Sequence, residues 1–229
     1  MNQPLRILHI ASGDLWAGAE VAIYHLACEL ASHPELKIEI ALLNEGELAA
    51  RLRSAGIAVH VFDEQRHGVV SLLLKVRTLI QRLQPQVVHT HRGKEHLLGA
   101  LAAALVPGRI SLRTVHGSTE SIAGRQPRLR DVSRQKLDRF IASLQRCAIA
   151  VSVPLAAELS TSLPGMSIRT IVNGIDRKAI QLAAAQPCEL AVRDRIGICF
   201  SGRLVPVKRV ELFLATARRV LDAHPQRYI

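Results

Sequence analysis

The chain has 229 residues, more than one average domain, and 48% hydrophobic against 21% charged residues excludes a disordered polymer. Its formal charge of +11 favours anionic partners such as nucleic acid, lipid head groups or phosphorylated small molecules. Aromatic residues are only 3%, which argues against single-stranded nucleic acid, because bases need stacking platforms.

The predicted elements alternate between strand and helix. Arg6–Ala11 (RILHIA) is a short aliphatic run that reads as a strand, and a helix runs from Ala19 to about Ser32 after a Gly-containing loop. Lys37–Leu43, Ile57–Phe62, Gln86–Thr90 and Ile110–Val115 read as further strands. Helices are expected at Glu45–Ala55, Val69–Leu83 and Glu95–Leu105, the last two ending ahead of Pro85 and Pro107-Gly108. A long helix over Leu129–Leu144 precedes a strand at Ala148–Val153, a short helix from Pro154 and a strand at Ile168–Val172. Near-continuous apolar strands alternating with helices of this length predict an α/β fold: a Rossmann-like, doubly wound parallel sheet. No internal repeat is visible.

The Ala-rich stretch Ala179–Pro187 reads as helical and Arg193-Asp194-Arg195 as a linker zone. Ile196–Ser201 then predicts a strand and Val210 to Ala223 a helix. Domain limits are therefore expected at 1–190, a Rossmann-like domain with its hinge, and 191–229, the first strand and helix of an incomplete second domain. One strand and one helix cannot enclose a core.

The N-terminus lacks the long apolar region of a signal peptide, and the apolar stretch around Leu97 to Pro107 is about half of what a membrane-spanning helix needs. Cys28, Cys147, Cys188 and Cys199 form no CxxC pair; three of them read as small core residues with reduced thiols. A cytoplasmic location is expected, with any membrane contact peripheral, on the inner face of the cytoplasmic membrane.

Five constellations carry candidate chemistry. Ser12–Glu20 (SGDLWAGAE), with Gly13 and Gly18, follows the first strand, where doubly wound folds bind ligands; its spacing is not that of a dinucleotide fingerprint. His89 and His91 lie two apart on a strand and point the same way, with His96 and Glu95 nearby. They read either as metal ligands or as polar groups at the sheet rim. His116-Gly117 follows the fifth strand, where a neutral imidazole can face a cleft and exchange a proton near neutral pH. The helix Leu129–Leu144 carries Leu129, Val132, Leu137, Phe140, Ile141 and Leu144 on one face and a basic opposite face that includes Arg130, Arg134 and Arg139. It reads as a core-packed helix with a solvated basic face, or as one whose basic face meets an anionic membrane. Arg203 and Lys208 flank the loop after Ser201, a pair suited to gripping a diphosphate.

The loop ending AGAE, the VVHTH strand, the TVHG strand, the IVNGID segment and FSGRLVPVK, in that order, resemble the group 1 glycosyltransferases of the GT-B fold. The resemblance covers nearly the whole chain. It implies an acceptor-side domain and the start of a donor domain. It also implies transfer of a sugar from a nucleotide-sugar to a glycan or lipid-linked acceptor, as in surface polysaccharide or lipopolysaccharide biosynthesis. His116 would face the reacting sugar as the catalytic residue. Arg203 and Lys208 would neutralise the leaving diphosphate. The Gly13–Gly18 loop would sit against substrate. No metal or other cofactor is expected, and no nucleic acid partner.

Two departures stand out. Ala17 replaces the first of two adjacent glycines, and Arg209 replaces a glycine after the loop lysine. The family's later acidic motif is absent from the sequence, so these residues are expected to show little transfer by themselves. The rival expectation is a non-catalytic acceptor- or membrane-binding form. A nucleotide-dependent epimerase or reductase would need the dinucleotide fingerprint that is missing here.

Overall fold

The structure, a computed structural model, describes residues 3–117, 129–186, 196–202, 204 and 206–224. It divides into two compact units, 1–175 and 176–229. The first holds seven strands: β1 (Leu5–Ala11), β2 (Leu36–Leu42), β3 (Ala58–Val61), β4 (Val87–Thr90), β5 (Ile110–Val115), β6 (Ala148–Ala150) and β7 (Ile168–Thr170). Between them run α1 (Gly18–Ala31), α2 (Glu47–Ser54), α3 (Val69–Leu83), α4 (Gly93–Ala104), α5 (Leu129–Ser143) and α6 (Val153–Ser162). The sheet order is β3-β2-β1-β4-β5-β6-β7, and every pairing is parallel.

Alternation along the strands divides the core into two. Leu8 and Ile10 of β1, with Val88 of β4, pack against Val76, Leu79 and Ile80 of α3 and Ala102 and Ala103 of α4. Ala11, with Ile38, Ile40 and Leu42 of β2, packs on the other side against Ile23 and Ala27 of α1 and Leu48 and Leu52 of α2. Side chains two apart share a face, so one strand feeds both layers. Each fully buried Leu or Ile here contributes about 1.5–3 kcal/mol relative to exposure. A smaller cluster joins Ala142 of α5, Ala150 of β6 and Leu155 and Leu159 of α6.

The order reverses direction between β1 and β4, the switch point at which doubly wound sheets open a crevice beyond the strands' carboxyl ends. Close packing of α4 on this centre depends on Gly99, where a Cβ would come within 3.0 Å of Ile10 Cδ1 and closer still to Thr90 Cγ2.

Several boundaries differ from the sequence reading for local reasons. The sixth strand stops at Ala150 because the Ser152 hydroxyl accepts the Leu155 N–H at 3.3 Å and starts α6 at Val153. The second helix starts at Glu47, preceded by Gly46, and Glu45 pairs instead with Arg53. Of the expected apolar face of α5, Ile141 is buried but Val132, Leu137 and Phe140 are exposed, so only the helix's last turn packs as core. Cys28 is half-buried and packs against the β2–α1 side of the core, Cys147 is half-buried and Cys199 exposed; Cys188 lies outside the described residues.

The second unit carries α7 (Arg177–Ala184), a 3-10 turn (Pro206–Lys208) and α8 (Val210–Ala223). Asp176 caps α7 by accepting the Ala179 N–H at 3.0 Å. Of the strand expected over Ile196–Ser201, the structure shows a single bridge at Ile196. Neither α7 nor α8 has a buried residue. Arg209, just before α8, holds φ +50° and ψ +45°, the left-handed conformation that glycine adopts freely.

Candidate functional site: a histidine array at the sheet switch point

The carboxyl ends of β1, β4 and β5 bring five histidines together. His9 sits in β1 opposite His89 of β4, and His91 and His116 follow the ends of β4 and β5. His9 Nδ1 lies 2.9 Å from His91 Nε2, and His91 Nδ1 lies 3.2 Å from His116 Nε2. His89 Nε2 meets the Thr114 hydroxyl at 2.7 Å, and its ring stacks on His91 with centroids 4.3 Å apart. One residue out of phase, Thr90 turns to the other layer. Its hydroxyl donates to Leu112 O at 3.2 Å and accepts from Gln145 Nε2 at 3.1 Å and from His96 Nδ1 at 2.8 Å. The register explains this sorting, because odd and even positions of β4 face opposite layers.

Burial keeps these rings neutral. It holds His9 down to about 4, and holds His89, His91 and His96 well below the ordinary imidazole value. His116 is also lowered to about 4, by burial first and then by the Arg92 charge. His116 lines a cavity of about 210 Å³ together with Gly117, Val151, Ser152, Pro154, Leu155 and Glu158. A second hollow of about 510 Å³ lies along α3 and contains none of the site residues expected from sequence.

The rim around the array is tied by charge. Arg92, directly after the His89–His91 run, reaches Glu20 at 3.0 Å and Asp14 at 3.3 Å. Asp14 belongs to the loop after β1 and Glu20 to the first turn of α1, so both are joined to the segment that follows β4. Glu20 is buried at 2% side-chain exposure, so salt screens this pair less than a surface one. Further out, Lys94 pairs with Glu64, which also accepts from Asn44 Nδ2 at 3.1 Å. Beneath the array, fully buried Arg113 donates to Asp138 at 2.7 Å and to the Gln145 side chain.

The structure thus brings His89, His91, His96 and His116 together. Gly13 belongs to the same end of the sheet: it takes φ +95°, and a Cβ there would stand 2.9 Å from Asn44 O, so glycine is required by conformation and by space. Gly18 opens α1, and nothing lies within 4 Å of a Cβ built there. Lys208 is exposed at the end of its 3-10 turn in the second unit; Arg203 lies outside the described residues. Arg134 is exposed on α5, Arg139 donates to Ser162 O at 2.9 Å, and the Arg130 side chain lies outside what is described. Sequence reasoning missed His9 and Arg92. A histidine inside an otherwise aliphatic strand was the available signal for the first; an ion pair across 72–78 positions has none.

His9, His89 and His91 place nitrogen atoms within 4.8 Å of one another. His9 and His91 hydrogen-bond to each other and His89 to Thr114, so in this structure the group forms a hydrogen-bonded cluster.

A seven-stranded parallel sheet with a switch point between β1 and β4 and a crevice beyond its strand ends defines a Rossmann-like α/β domain. Residues 16–179 match Glycosyltransferase Family 4, and the chain belongs to that family. A search of curated protein sequences finds no match. Among solved structures, Anabaena HepE in complex with UDP and glucose aligns with a TM-score of 0.70 at 18% identity, over 97% of this chain and 59% of that one. The lipopolysaccharide outer core galactosyltransferase WaaB in its apo form gives 0.58 at 16% identity, over 92% and 57%. A UDP-N-acetylglucosamine 2-epimerase gives 0.58 at 12% identity, over 98% and 62%. These likenesses establish the Rossmann-like fold of GT-B enzymes, and the chain spans less than two thirds of each neighbour's length.

Proposed function

We propose that this family 4 chain serves transfer of a sugar from a nucleotide-sugar to a glycan or lipid-linked acceptor in surface polysaccharide or lipopolysaccharide assembly, with His116 against the reacting sugar. The observation that carries the reading is the neutral His116 ring at the end of β5, which lines a cavity. Neutral imidazole can donate to or accept from a sugar hydroxyl; a charged one could only donate. Gly13 and Gly18 would let substrate approach the loop after β1. Lys208, with Arg203, would neutralise the leaving diphosphate as charge develops on it. UDP-linked sugars are the first donors to try, since HepE holds UDP and glucose. Transfer without a metal is part of this proposal, as the family resemblance implies.

The test is ligand-observed NMR with a panel of UDP-sugars and oligosaccharide acceptors. His116→Ala is expected to weaken the bound sugar at least tenfold, about 1.4 kcal/mol. Equal binding by the wild-type chain and His116→Ala removes His116 from the site.

A peripheral membrane contact is the second reading, favoured by one observation. Val132, Leu137 and Phe140 of α5 are exposed on the same helix as Arg134, Lys136 and Arg139. Apolar side chains beside cations fit the boundary of an anionic bilayer. No described helix is long and apolar enough to cross a membrane. Flotation with phosphatidylglycerol vesicles should recover the chain at low salt. Charge reversal at Arg130, Arg134 and Arg139 should release it; failure to float at any salt concentration ends this reading.

A further inference from the structure

We propose that His9 and His91 are positioning residues that fix which ring nitrogen of His116 carries its proton. Its importance for sugar transfer rests on the reading above; the array itself does not.

A neutral imidazole has one N–H and one lone pair. The Nδ1 of His9 faces Nε2 of His91 at 2.9 Å, and Nδ1 of His91 faces Nε2 of His116 at 3.2 Å. Each contact needs one hydrogen and one lone pair; two lone pairs or two N–H groups facing each other would repel. Only two arrangements of three neutral rings satisfy both contacts. Either all three carry hydrogen on Nδ1, or all three carry it on Nε2. Switching between them moves a proton on every ring at once.

The two ends differ. His9 is fully buried, its Nε2 has no partner among the described residues, and its ring is held beside His89, which is fixed by Thr114. His116 lines the cavity, and with Nε2 committed to His91 its other nitrogen, Nδ1, is buried with no partner among the described residues. The tautomer at the buried end and the tautomer at the cavity end are therefore tied together. If the chain runs with hydrogens on Nδ1, His116 keeps an N–H there; in the reverse sense it keeps a lone pair there. Three features keep the rings neutral enough for this device: burial of His9 and His91, the neighbouring His89 and His96, and the Arg92 cation, which disfavours a charge on His116.

Selectively ¹⁵N-histidine-labelled 229-residue chain at neutral pH, read by long-range ¹H–¹⁵N correlation, tests the proposal without turnover. The expected result is one shared tautomer for His9, His91 and His116. His9→Leu should convert His116 to a mixture of tautomers and move its titration midpoint. His9→Asn, whose carboxamide can still face His91 Nε2, should restore a single form. Mixed tautomers in the wild-type chain overturn the proposal, as does a His116 spectrum unchanged by His9→Leu in a folded variant. Should His9→Leu not fold, the wild-type tautomers decide alone. A shared tautomer with no sugar binding would sink the transferase role of His116 and leave the array standing.

Discussion

Replacing Gly99 by Ala would put a methyl group 3.0 Å from Ile10 Cδ1 and closer still to Thr90 Cγ2. Ile10 is fully buried in the centre of the sheet, where the strand cannot yield. Thr90 could turn away only by giving up contacts, since its hydroxyl donates to Leu112 O and accepts from His96 and Gln145. Overpacking of this sort costs about 1–3 kcal/mol. A net hydrogen bond lost on rotating Thr90 adds about 1 kcal/mol. Alanine's better helix propensity returns about 1 kcal/mol. The expected outcome is destabilisation of about 2 kcal/mol. In urea, at a slope of about 1–3 kcal/mol/M, that lowers the unfolding midpoint by about 1 M at unchanged slope. Gly93→Ala is the control, because the same helix has open space around a Cβ at its first residue. Equal or higher stability of Gly99→Ala would refute the argument that α4 needs glycine to reach β1 and β4.

Acid should unfold the chain early. His9 and His116 titrate near 4 in the fold against 6.5 in an unfolded chain, and His89, His91 and His96 are lowered as well, so their contribution is present above 6.5 and lost as pH falls toward 4. Each such group steepens the loss by up to about 1.4 kcal/mol per pH unit. Glu95, raised by burial, acts in the opposite sense, but it is one group against five. Urea midpoints that do not change between neutral pH and about 5 would contradict this. Arg209→Gly should relieve the left-handed backbone at φ +50° before α8, which costs about 1–2 kcal/mol for a non-glycine residue, less what glycine's freedom in the unfolded chain takes back. Slower amide exchange across α8 is the expected sign; faster exchange would show that the arginine side chain matters more than its backbone.

What was legible in the sequence follows from what is local. Strand and helix limits at β5, and over α3, come directly from apolar periodicity bounded by turn residues. His89 and His91 were visible as a pair because strand alternation puts them on one side. His116 was visible because a histidine before glycine ends a strand. The partners that give these residues meaning were not legible, since they arrive through the sheet order. His9 meets His89 only because β4 inserts next to β1, 80 positions away in sequence. Arg92 meets Glu20 for the same reason. The exposure of Val132, Leu137 and Phe140 shows the converse failure: helical spacing reveals an apolar face but not whether anything in the fold covers it. Arg209 joins the two kinds of information. A sequence departure from glycine gains its physical content only when the backbone there proves to be left-handed. The family motifs around the switch point are therefore better understood as one hydrogen-bonded unit spread over β1, β4 and β5 than as separate substrate contacts. His116 is the member of that unit that meets the cavity, and the others determine in what state it does so.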